Sequence, residues 1–237
     1  MTELGPAEIG ERRREALVRI AAAAERAGRD PLSVQLLAVT KGHGAGTVRA
    51  AAGAGQRLFG ENRVAEGARK IESVRADLPD LSWRLIGTLQ TNKAGMALQY
   101  FSALESLDRQ RLVERIERLL AETDRRLPVL LEVNLAGEET KSGVSPGDLD
   151  ALAAAAMAAG HLDVRGLMAV PPFDPDPERS RPHFRRLREL QDRLRDRTGK
   201  DLPELSMGMS HDYEVAVEEG ATEVRLGTAL FGAREAA

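Results

Sequence analysis

Lys41 ends the apolar run in "LLAVTKGH" and is one of only five lysines among 34 cationic side chains. An amine where a buried strand meets a loop is a candidate for Schiff-base chemistry. Desolvation and a nearby cation disfavour the ammonium and leave more neutral amine to attack a carbonyl. Two other stretches indicate what that carbonyl compound carries. "SMGMS" brings the Ser210 hydroxyl to a helix start, and "RLGTALFG" offers the backbone N–H groups of Gly227 and Thr228 plus the Thr228 hydroxyl. Glycine lets a backbone approach closely, and unpaired N–H groups at a helix start favour an anion. The combination predicts a phosphorylated aldehyde, either pyridoxal 5′-phosphate (PLP) or a sugar phosphate. Arg225, two residues before Gly227, should share its face of the strand and meet a pyridine nitrogen there. A guanidinium only donates, so the ring nitrogen stays unprotonated and the electron sink that transamination needs is weakened.

These residues need elements to bring them together. Strand-like runs occur at 34–40, 57–60, 83–87, 100–105, 128–134, 164–170, 203–207 and 223–227, with amphipathic segments between them. Eight such units predict an α/β fold, a TIM-type (β/α)8 barrel in a single domain over 1–237. A doubly wound open sheet is the alternative. A further helix near 7–27 precedes the first strand, either closing the barrel bottom or packing outside it. In "SPGDLDALAAAAMAAG" Ser145 is placed as N-cap and Pro146 as first helical residue. Chemistry in this fold sits at the C-terminal strand ends. That adds Glu61 and Asn62 after strand two, Thr88, Gln90, Asn92 and Lys93 after strand three, Glu105 at the end of strand four, Asn134 at strand five and Met168 near the end of strand six. The loop "PPFDPDPERSRP" at 171–182 reads as a mobile top-face loop or lid.

Composition narrows the classes. The net charge is −3 with acids and bases interspersed, which makes no case for nucleic acid or an anionic membrane. No cysteine is present, so disulfides and thiolate chemistry are excluded. No window is apolar enough to span a bilayer, and the N-terminus carries no signal pattern, so a cytoplasmic protein is expected. His43, His161, His183 and His211 lack metal-ligand spacing, although His43 and His211 could line a pocket mouth. The pair Glu138 and Glu139 reads as a solvated loop, and the lack of a leftover apolar stripe suggests a monomer.

The blocks "AVTK", "FGEN", "WRLIGTLQTNK", "EVNLAGEETKSGV", "GLMAVPP" and "LSMGMSHDYEVAVEEGATEVRLGTALFG" run in this order along nearly the whole chain. Together they resemble the PLP homeostasis proteins, the YggS-type PLP-binding proteins. The resemblance implies a barrel like the N-terminal domain of alanine racemase, with PLP held as an internal aldimine on Lys41. It implies that Ser210, Gly227 and Thr228 bind the phosphate, Arg225 the pyridine nitrogen, and Asn62 and Met168 the ring. It also implies a non-catalytic carrier or buffer of PLP that supports vitamin B6 and amino-acid balance, with PLP-dependent apo-enzymes as recipients. Arg63, Ala65 and Arg84 depart from the family's usual tyrosine, glutamine and histidine, which leaves local, surface-type contacts in doubt. An amino-acid racemase is the alternative. Against it, the chain closes five residues after "LFG", and neither Tyr100, read as inside a strand, nor Tyr213 is an evident acid on the far face of the ring. A Schiff-base aldolase acting on a sugar phosphate is the third possibility.

Overall fold

In the computed structural model, residues 4–138 and 141–232 are described; Glu139 of the acidic loop pair lies outside them. Eight parallel strands form one closed barrel in sequence order: β1 (Gln35–Val39), β2 (Leu58–Glu61), β3 (Ser82–Leu85), β4 (Ala103–Leu107), β5 (Leu127–Glu132), β6 (Leu162–Met168), β7 (Glu204–Met209) and β8 (Glu223–Leu226). β1 pairs with β8 from Gln35↔Glu223 to Ala38↔Leu226, and that closure rules out the open doubly wound sheet.

The helices are α1 (Pro6–Arg26), α2 (Ala45–Gly53), α3 (Val64–Val74), α4 (Ala94–Tyr100), α5 (Gln110–Leu120), α6 (Leu149–Ala158), α7 (Arg181–Thr198), α8 (Tyr213–Glu218) and α9 (Thr228–Phe231). They cover the strands' outer faces, and the main apolar core lies between barrel and helices. α5 shows why such a polar segment folds as a helix. Leu112, Val113, Ile116 and Leu120 are buried on one stripe while its arginines and glutamates take the other side. α1 packs outside the barrel against α2, α8 and α9 rather than under it. Its Ile9, Ala16, Ile20, Ala23 and Ala24 are buried, Arg19 lies 5.4 Å from the Tyr213 ring centre, and Arg26 pairs with Glu218 at 2.8 Å.

Three local expectations are corrected. Strand four starts later than predicted, because Tyr100 ends α4 instead of lying in the strand, and its hydroxyl donates to Glu72. Glu105 is therefore in mid-strand, fully buried inside the barrel, not at its end. Helix α6 starts at Leu149 with Asp148 as N-cap; Ser145 instead closes the preceding turn, its hydroxyl oxygen accepting from Asp148 N at 3.1 Å.

Candidate functional site at the barrel mouth

A cavity of about 430 Å³ opens at the C-terminal ends of the strands. Six of the seven sequence-predicted cofactor contacts line it: Lys41, Asn62, Ser210, Arg225, Gly227 and Thr228. Met168 does not; it is wholly buried at the end of β6 beside Glu132 of β5. Of the five lysines, Lys41 alone reaches this cavity. Lys141 pairs with Glu138 at 2.7 Å in a loop, and Lys93 is exposed. Asn134 also serves its own loop, accepting from Gly137 N at 3.0 Å and donating to Glu138 O at 2.9 Å.

The backbone under Lys41 is clamped from below. The Lys70 ammonium, on α3, donates to Thr40 O at 2.6 Å and to the Glu61 carboxylate, which also accepts from the Thr40 hydroxyl at 2.5 Å. All three groups are buried. Burial pushes the Glu61 carboxyl above its ordinary pKa, with Lys70 as the main opposing influence.

On the anion side, Ser210 does something other than cap α8. Its hydroxyl oxygen accepts from Gly227 N at 3.2 Å and Ala229 N at 3.1 Å, tying the turn after β7 to the start of α9. The Gly227 N–H is thus engaged rather than free. Ser210 keeps its own proton to donate into the cavity. A Cβ at Gly227 would stand 3.3 Å from Val39 O, so glycine permits this close approach of β8 to β1.

Arg225 is buried, with Nη1 donating to Ser206 Oγ at 2.6 Å and Nη2 to Ala169 O at 2.8 Å. Two contributions were missed by sequence reasoning. Glu132, at the end of β5, has a buried oxygen without a hydrogen-bond partner. Burial, reinforced by Asp108 and opposed by Arg225 and Arg109, pushes its pKa up to about 7. Arg84 was the other: it belongs to the barrel interior, not the surface, with Nη1 at 2.7 Å from Glu204, 3.1 Å from Glu223 and 3.4 Å from Glu105. Arg63 and Ala65 are exposed, as a surface substitution requires.

The proline-rich loop reaches the mouth through Phe173, next to Val170 just before the loop. Phe173 packs 5.2 Å from His211, whose Nε2 lies 2.8 Å from Asp174 O. His43 also lines the cavity, its ring 5.2 Å from that of Phe231. Among the described residues no group of three or more His, Asp or Glu could hold a metal ion.

The residues suit a phosphorylated pyridine aldehyde. The cavity offers one amine, one fixed guanidinium, a hydroxyl held beside a backbone turn, and the buried Asn62 Oδ1, which has no partner and awaits a donor.

Comparison with known proteins agrees. The family described as alanine racemase, N-terminal domain, matches residues 17–235. A pyridoxal phosphate homeostasis protein from Aquifex aeolicus is 45% identical over 225 residues, covering 95% of this chain and 98% of its own. The structure of PipY from Synechococcus elongatus with PLP bound superimposes with a TM-score of 0.80 at 39% identity, over 91% of this chain and 100% of that one. Alanine racemase from E. faecalis shares the fold, with a TM-score of 0.69 at 16% identity, and this chain spans 59% of its length.

Proposed function

We propose that this chain, which belongs to the pyridoxal phosphate homeostasis proteins within the alanine racemase N-terminal domain family, binds PLP at the barrel mouth and carries or buffers it without catalysis. The observation that carries this reading is the meeting of Lys41, Arg225 and the Ser210–Gly227–Thr228 turn in one cavity. When bound, the cofactor supplies an aldehyde that captures amines and a phosphate that needs anion-binding donors. Lys41 is the covalent attachment point, held at the end of β1 by the Thr40 clamp. Ser210 and Thr228 receive the phosphate, Arg225 donates to the ring nitrogen, and Asn62 lies against the ring. Met168, wholly buried at the end of β6, is not among the residues that line the cavity.

Racemisation needs an acid or base on each face of the substrate carbon. Neither tyrosine can serve: Tyr100 faces Glu72 outside the barrel, and Tyr213 is buried under Arg19. The chain is read as a cytoplasmic monomer that yields PLP to apo-enzymes, and no described helix is long and apolar enough to cross a membrane.

The test is the visible absorption spectrum of PLP-loaded wild type against Lys41→Ala. The wild type shows the band of the linked cofactor and the variant loses it. A band that persists in Lys41→Ala overturns the assignment of Lys41. Robust turnover of any amino acid by the wild type overturns the carrier reading.

A further inference from the structure

Beneath the cavity, Ser206 on β7 is wholly buried and within hydrogen-bond distance of three ionisable side chains at once. Arg225 Nη1 is at 2.6 Å, Glu105 Oε2 at 2.7 Å and Glu223 Oε1 at 2.9 Å. A hydroxyl has one proton to give and two lone pairs to fill. The guanidinium only donates, so it fills one lone pair. The hydroxyl proton goes to one carboxylate. The remaining carboxyl oxygen then faces the second lone pair, and an ionised carboxylate has nothing to offer it. All three contacts are satisfied only when one of the two carboxyl groups carries a proton.

We propose that Glu105 and Glu223 hold a single proton across Ser206, with Glu223 its bearer, and that Ser206 thereby acts as the positioning residue for Arg225. The hydrogen bonds distinguish the two acids. Glu105 receives two, from Arg84 at 3.4 Å and from Ser206, as an ionised group should. Glu223 Oε2 receives none, although Arg84 Nη1 is 3.1 Å away. Burial first, and then the Glu105 charge, hold the Glu223 carboxyl well above its ordinary pKa. The other ionisable groups around the pair are Arg84 on β3, Arg225 on β8, Glu204 on β7 with its β6 partner Arg165 at 3.3 Å, and Glu132 across the mouth on β5.

The arrangement has a consequence for the cavity. Among the described residues Arg225 makes no ion pair; a neutral hydroxyl and a carbonyl oxygen fix it. The charge of the Glu105–Glu223 pair lies one hydroxyl away, so it does not pair directly with the guanidinium. A second ionisation of the pair would remove the proton filling the Ser206 lone pair and add negative charge beneath the guanidinium.

The cofactor half of this inference rests on the PLP reading of the cavity; the proton half does not. Infrared spectroscopy of the ligand-free full chain at about pH 9, above the ionisation of every ordinary carboxyl group, tests the proton directly. Wild type should show the C=O stretch of a protonated carboxylic acid, unchanged in Glu132→Gln and absent in Glu223→Gln. The glutamine keeps an N–H to donate to Ser206, so the barrel should stay folded. No such band in wild type, or a band that survives Glu223→Gln, overturns the proposal. PLP titration then tests the positioning role. Ser206→Ala should bind PLP about tenfold more weakly, as loss of one hydrogen bond to a charged group implies, and shift the bound cofactor's absorption maximum. Glu223→Gln should do neither. An unshifted maximum and unchanged affinity in Ser206→Ala overturn the positioning role. A wild type that shows the carboxylic acid band yet binds no PLP sinks only the cavity reading.

Discussion

Lys70→Met should destabilise the barrel in proportion to pH. The ammonium is 6% exposed, and its main partner Glu61 is fully buried. Removing it leaves Glu61 with one hydroxyl donor, Thr40, and an oxygen Oε2 that already lacks a hydrogen-bond partner. Deleting one member of a buried pair costs ~3–5 kcal/mol, because a charge stays behind uncompensated. Glu61 can escape part of that by taking up a proton. Its pKa is already raised by burial against the opposition of Lys70, and the substitution removes the opposition. An acid with a raised folded-state pKa stabilises the fold fully below its unfolded pKa and loses that contribution as pH rises through the folded one. The penalty therefore grows with pH, from ~2 kcal/mol near pH 5.5 to ~3–4 kcal/mol near pH 8. At ~2–4 °C per kcal/mol for a chain of this size, the midpoint should fall by roughly 10 °C at the higher pH. Thermal and urea unfolding at both pH values measure this. Adding Glu61→Gln to Lys70→Met should recover much of the loss at the higher pH by removing the stranded charge. A loss below ~1 kcal/mol, or one that is the same at both pH values, would refute the argument that the pair is a buried electrostatic unit.

In wild type, Glu132 should make stability decline as pH rises from about 5 to 8, since its pKa of about 7 lies above that of the unfolded chain. Glu132→Gln should flatten that slope, by on the order of 2–3 kcal/mol across the window in urea titrations. Ser210→Ala should weaken PLP binding by about tenfold, read by absorption titration, and cost ~1 kcal/mol of stability, because the Gly227 and Ala229 N–H groups lose their acceptor. Gly87→Ala places a Cβ 2.2 Å from Asn62 O and 2.7 Å from Asn62 Cα, both backbone atoms that cannot swing away. It should cost ~1–3 kcal/mol in urea unfolding and displace Asn62 from the cavity wall, seen as weaker PLP binding.

The barrel was legible because parallel strands buried on both faces read as short apolar runs, and eight of them recur with helices between. Strand four was placed too early because "YF" looks like a strand start. In the folded chain Tyr100 closes α4, and strand pairing begins only at Ala103. The mouth residues were legible because their place at strand ends is a matter of counting. Glu132 and Arg84 were missed for the opposite reason. A charged residue within a short strand looks like a solvent-facing position. Here it faces the barrel lumen, where only its three-dimensional neighbours reveal it. Met168 was carried over by resemblance, and its side chain is spent on packing.

The lumen of a small barrel is usually filled by apolar layers, so its polar content here calls for a physical reason. A lysine that must offer its amine and an arginine that must keep its charge have different needs, and their supports differ accordingly, one lying between β2 and α3 and the other in the lumen. Under Lys41 the support acts on the preceding residue: Lys70 and Glu61 grip the carbonyl and hydroxyl of Thr40, so the backbone that carries Lys41 to the cavity wall is fixed. Under Arg225 the support acts on the side chain itself, through Ser206, with the acids held one hydroxyl further off. A carboxylate placed directly on Arg225 would hold it as firmly but would neutralise the positive field that a ligand nitrogen or phosphate meets. A hydroxyl between them gives orientation without that neutralisation, and it works only while one of the two acids is protonated. The buried acids below Arg225 are thus the condition on which its charge remains available at the mouth.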